Sequence, residues 1–217
     1  MFYLYQKFFT MKKILTLSLA SLLVFSCSKK QEAEPISTSA PEITAATNDS
    51  ISEGEYTYHP ETTKLTWTAY KTPEKVGVEG TFSDYELTDY HPATIKEDVL
   101  NGAKFKINSL SVNTGDDSRD NLLRTLFFGS MTSPEIEGSF GQFNNSVVPV
   151  TLKLNDHEVT KDFKYTFYDN KIVITGTIDV LKDFDIQKGF DLLHNECKLL
   201  HQDKTWTDVS IEIITEL

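Results

Sequence analysis

Apolar and polar side chains alternate with a period of two along much of the chain beyond Tyr56. Leu65, Trp67 and Ala69 alternate with Thr66 and Thr68, and Ala103, Phe105 and Ile107 alternate with Lys104 and Lys106. Val148, Val150, Leu152 and Leu154 alternate with Pro149, Thr151 and Lys153. Such alternation predicts strands with one face toward a core and one toward water. Val76–Phe82 continues in the same manner, with Gly77 and Gly80 marking a bend or a close backbone approach. Tyr165 and Phe167 lead through the turn pair Asp169-Asn170 to Ile172, Ile174 and Ile178, and Trp206, Val209, Ile211 and Ile213 form a last strand. Two segments break the pattern. Asp117–Asp120 can cap a short helix carrying Leu122, Leu123 and Leu126. Phe190, Leu193, Cys197 and Leu200 fall at i, i+3, i+7 and i+10, one helical stripe. The prediction is a mainly β fold of about eight strands and two short helices, antiparallel, as a closed barrel or a sandwich.

The first residues follow different rules. Lys12 and Lys13 precede an apolar run from Ile14 to Phe25, which is too short to span a bilayer and has the length of a signal-peptide core. The run ends in Leu23-Val24-Phe25-Ser26-Cys27, which resembles a lipobox, so Cys27 is predicted to carry a lipid anchor. Residues 28–52 are rich in Ser, Thr, Ala, Glu and Pro and have few large apolar groups to offset the entropy of ordering. The predicted organisation is a lipoprotein signal over 1–26, a lipidated flexible tether over 27–52, and one domain over 53–217. That organisation places the protein in a bacterial cell envelope, lipid-anchored, facing the periplasm or the cell surface.

Charge and cysteine content narrow the function. The whole chain carries a formal charge of −11, and removing residues 1–26 takes away Lys7, Lys12 and Lys13 and no acid, which leaves −14. A chain this acidic repels nucleic acid. Only Cys197 remains beyond Cys27, so the domain has no internal disulfide and rests on its hydrophobic core.

Several segments resemble, in order, those of the YceI-like family. They are Trp67-Thr68-Ala69-Tyr70-Lys71, Val78–Phe82, Leu110-Ser111-Val112-Asn113-Thr114-Gly115 with Arg119-Asp120 and Leu123-Arg124, then Phe127-Phe128 with Pro134, and Leu154–Lys161. Gly176 and Phe184 match a later strand and its exit, and the likeness covers about residues 54–217. The resemblance implies a lipocalin-like antiparallel β-barrel that binds polyisoprenoid or similar long-chain lipids.

Under that implication the aromatic side chains are the candidate ligand contacts: Trp67, Phe82, Phe105, Phe128, Phe143, Tyr165, Phe167, Phe184 and Trp206, with Phe140 among them. Taken alone, each ring is as well explained by a filled core. His194, Cys197 and His201 could share one helix face, and imidazole with thiolate suits zinc or copper. Cys197, however, also belongs to the apolar stripe, so no metal or cofactor is predicted. His157-Glu158 opens like a zinc-protease motif, but Lys161 stands where the second histidine is needed. No nucleophile elbow or phosphate-binding glycine loop occurs, so the expectation is a binding protein and not an enzyme. Two readings remain: a membrane-tethered lipid carrier or reservoir, and a stress-response or interaction lipoprotein with a packed, ligand-free core.

Overall fold

In the computed structural model, which describes residues 54–217, the alternating segments become ten strands of one curled antiparallel sheet. Cys27, the signal segment and the tether lie outside the described residues. The strands are β1 (Lys64–Lys71), β2 (Val76–Phe82), β3 (Tyr85–Thr88), β4 (Lys104–Asn108), β5 (Val112–Asn113), β6 (Glu135–Phe140), β7 (Val147–Leu154), β8 (His157–Tyr168), β9 (Lys171–Asp179) and β10 (Thr205–Glu216). Their order across the sheet is β3-β4-β6-β7-β8-β9-β10-β1-β2-β5.

The two ends of that order belong to the same pair of chain segments. β2 pairs β5 through Thr81–Asn113 and Phe82–Val112, and β3 pairs β4 from Tyr85–Ile107 to Thr88–Lys104. Only Ser83 and Asp84 separate β2 from β3, and a tight turn at Ser109–Ser111 separates β4 from β5. Across the break, Ser83 N donates to Ser111 O and Asn108 N donates to Asp84 O. Two long strands, each interrupted once, therefore close the sheet on itself. Counted without the interruptions the barrel has eight staves, the expected number, and the two extra strands arise from those breaks. Sequence alternation did not reveal β3 because only Tyr85 and Leu87 carry it.

Local chemistry sets the turns. Asn155 and Asp156 take positive φ (51° and 63°), which the tight β7–β8 hairpin needs, and Asp169 does the same (53°) at the β8–β9 turn. Helix α1 (Asp117–Leu122) starts where Asp116 accepts a hydrogen bond from Arg119 N at 3.0 Å. Asp120, 3% exposed, accepts from Thr114 N (2.9 Å) and Thr114 Oγ1 (2.6 Å) and faces Arg124 at 3.8 Å. Arg124 in turn donates to the carbonyls of Leu110 and Val112. The Arg-Asp motif thus ties α1 to the strand before it. A wide helical turn, Leu123–Phe127, and a tight one, Phe128–Ser130, then lead to β6.

Helix α2 (Gln187–Cys197) carries Phe190, Leu193 and Cys197 as expected, but Leu200 lies beyond it and is 77% exposed. The chain reverses after Cys197 through a turn in which Gln202 and Asp203 have positive φ (51° and 59°). The stripe therefore ends one turn earlier than its spacing predicts.

Candidate functional site

Inside the barrel the inward side chains leave a hollow. Leu65, Trp67, Ala69, Val209, Ile211 and Ile213 point into the interior and line a cavity, yet all are only partly buried. The cavity measures about 220 Å³. For scale, an apolar cavity of about 150 Å³ takes up benzene and stays dry. Its walls are almost wholly apolar, with Thr63, Thr205 and Thr215 among the few polar side chains on them.

Three cross-strand contacts keep the rings on the wall. Trp67 pairs with Gly80 and Phe105 with Gly138, and a methyl group on either glycine would overlap its partner's ring. Phe163 covers Gly176 in the same way, one step beyond the Lys164–Thr175 pair. A ring laid over a glycine plates the strand instead of projecting into the lumen.

The predicted aromatic residues fall into three groups. Trp67, Phe82 and Phe128 form one series, with ring centroids 6.3 and 5.9 Å apart, and all three line the cavity. Phe105 lines it too and begins a second series through Phe140 and Phe143 to Tyr165 and Phe167, in steps of 5.6, 5.7, 5.1 and 5.6 Å. The last three rings, Phe143, Tyr165 and Phe167, do not line the cavity; tilted and edge-to-face contacts fill the barrel there. Phe184 and Trp206 line the other end, beside Phe190 and Leu193 of α2. The aliphatic liners Ile211, Ile213, Val209 and Ile136 were not among the candidates. Inward alternation marks such residues as facing in, but it does not separate a lumen from a packed core.

The α2 end is the polar end. The Thr205 hydroxyl lies 3.0 Å from His194 Nδ1 and 3.1 Å from His201 Nδ1. His194 Nε2 is 3.6 Å from Asp203 Oδ1 and its ring stacks on Phe190. Burial, then Lys71 and His194, hold the His201 imidazole below its ordinary pKa of 6.5. Burial, then Glu196, push the Cys197 thiol up, and Lys71 pulls the other way. A buried thiol held in its protonated form is a poor nucleophile. Among the described residues no group of three or more His, Cys, Asp or Glu is arranged to hold a metal ion.

A lateral seam runs beside the cavity. β1 pairs β2 only from Trp67 onward, and β3 has no ladder on its side away from β4. Tyr85 Oη donates to Thr63 O at 3.0 Å across that seam, and both residues line the cavity.

Comparison with known proteins gives a consistent picture. The sequence signature described as the YceI-like domain matches residues 56–217. A polyisoprenoid-binding domain from Saccharophagus degradans, implicated in plant cell wall breakdown, is 17% identical with a TM-score of 0.51, over 71% of this chain and 93% of that one. Burkholderia cenocepacia BcnA is 15% identical with a TM-score of 0.51, over 73% and 98% of the two chains. At this identity the likeness is one of fold. No match was found among curated proteins.

Proposed function

The chain belongs to the YceI-like family, and from that premise we propose that it binds a polyisoprenoid or similar long-chain lipid in its barrel and serves as a membrane-tethered carrier or reservoir. The observation that carries this reading is the hollow: an interior of about 220 Å³ lined almost wholly by apolar side chains. A barrel used only as a scaffold would close its core to crystal-like density. The polyisoprenoid-binding domain of Saccharophagus degradans, alike in fold, supports the same ligand class.

Energetics define how such a protein works. Burying an isoprenoid tail from water is worth about 25 cal/mol per Å², but a bilayer offers nearly the same gain. Net transfer from a membrane then depends on packing against the rings, on the headgroup, and on proximity. A lipid on Cys27 supplies the proximity by holding the domain beside its source, in a bacterial envelope. No catalysis is needed, since exchange runs down the gradient of lipid.

The test is the chain purified from a bacterial host, extracted with organic solvent and analysed by mass spectrometry. A prenyl lipid in stoichiometric amount is the expected result; consistently empty protein overturns the reading. Cys27→Ser is expected to move the protein from the membrane fraction to the soluble one, and continued membrane retention would remove the anchor from the proposal.

A further inference from the structure

The inward row of β1 does not end in an apolar residue. Leu65, Trp67 and Ala69 line the cavity, and the next residue on that face is Lys71. β1 keeps its pairing with β2 without interruption from Trp67–Gly80 to Lys71–Val76, so the pleat carries Lys71 to the same side as Ala69. On the other side β10 bulges between the Ala69–Val209 and Lys71–Thr205 pairs, and Lys71 stands opposite Thr205, which lines the cavity and holds His194 and His201.

Lys71 is partly buried, and among the described residues no carboxylate lies within ion-pair distance of it. Among the other described lysines without an ion pair, Lys64, Lys164, Lys182, Lys188, Lys198 and Lys204 are exposed and Lys96 donates to the Asp169 carbonyl, whereas Lys71 is partly buried. In a chain of net charge −11, carboxylates are abundant, yet none serves Lys71. The positive charge it brings acts on His201 and Cys197; of the acids nearby, Glu196 acts on Cys197 in the opposite sense and Asp203 is held by His194. Of this group Thr205 lines the cavity, and Lys71, His194 and His201 stand around it.

We propose that Lys71, Thr205 and His201 form a subsite for an anionic headgroup, a phosphate or a carboxylate, on the lipid whose tail occupies the cavity. The inference rests on the lipid-binding reading above and adds the polarity and chemistry of the ligand: tail toward the ring-plated middle of the barrel, anion toward α2. Lys71 supplies charge, and Thr205 and His201 supply hydrogen bonds. A long-chain ligand with a neutral head would leave the ammonium without a partner.

The experiment measures binding of three ligands with the same C20 isoprenoid tail to the full chain, by quenching of tryptophan fluorescence. Geranylgeranyl phosphate and geranylgeranoic acid carry the two anions, and geranylgeraniol carries none. Wild type is expected to bind at least one of the anions about tenfold more tightly than the alcohol, as a charge-assisted contact gives. Lys71→Gln is expected to abolish that preference while leaving affinity for the alcohol and the melting temperature unchanged. Which anion is preferred separates phosphate from carboxylate as the head. Equal binding of all three by wild type, or a preference that survives Lys71→Gln, overturns the subsite and leaves tail binding intact. Binding of none of them overturns the lipid-binding reading itself.

Discussion

The ring of Phe163 on β8 covers the backbone of Gly176 on β9, so closely that a single methyl group at Gly176 would overlap it. Phe163 is itself 2% exposed and lines the cavity. The glycine is what lets a ring this large stand at the wall without crossing the lumen, and the same device recurs at Trp67–Gly80 and Phe105–Gly138.

Gly176→Val is therefore expected to push Phe163 inward. Overpacking of this kind costs about 1–3 kcal/mol, readable in a denaturant titration, and the displaced ring should also reduce lipid retention. A variant with wild-type stability and lipid content would show that the ring has room elsewhere.

Ala69 lines the cavity from the opposite wall. Ala69→Phe places a ring in empty space rather than in a packed core. Stability should change by less than about 1 kcal/mol, since no native contact is removed, while binding of the C20 alcohol falls at least tenfold. Undiminished binding would place the tail outside this hollow.

The buried carboxylate of Asp120 holds both Thr114 donors and faces Arg124. Asp120→Ala should cost about 2–4 kcal/mol, because it leaves polar groups unsatisfied inside the protein. Thermal unfolding measures this. Lipid affinity per folded molecule should not move, since Asp120 does not line the cavity.

His201 gives a pH dependence with a definite sign. Burial, Lys71 and His194 hold its pKa below 6.5 in the folded state. As pH falls below about 6.5 the unfolded chain takes up a proton that the folded chain refuses, so stability declines with acidification through that window and is unaffected above it. His201→Gln should flatten the melting temperature between about pH 7 and pH 5 relative to wild type. An identical slope in both proteins would assign the effect to other groups. Asp116 and Glu137, whose pKa values are lowered, act only below their ordinary values of 3.8 and 4.5.

Much of this architecture is legible in the sequence, and the reasons for the rest are physical. Period-two alternation located β1, β4, β7, β9 and β10 because those strands each face water on one side. It missed β3, where a break after Phe82 leaves too few residues to show a period, and it ran the α2 stripe on to Leu200, where no glycine marks the end of the helix. Aromatic content pointed to the right kind of interior but not to its extent. Trp67, Phe82, Phe105, Phe128, Phe184 and Trp206 lie on the cavity, while Phe143, Tyr165 and Phe167 lie in the filled end. Nothing in the residue types separates the two groups. Lys71 was quoted only as part of a motif, because its meaning depends on Thr205 standing opposite it, far away in sequence.

The interrupted strands have a consequence for a barrel held at high surface density, as the proposed anchor would hold it. Proteins anchored to a common plane meet often and in similar orientations, and a long bare strand edge on each would template stacking between neighbours. In this barrel the edge strand β3 has only four residues, and Tyr85 reaches from it across to Thr63. An edge this short, tied back to the barrel by a side chain, gives a neighbour little strand to extend.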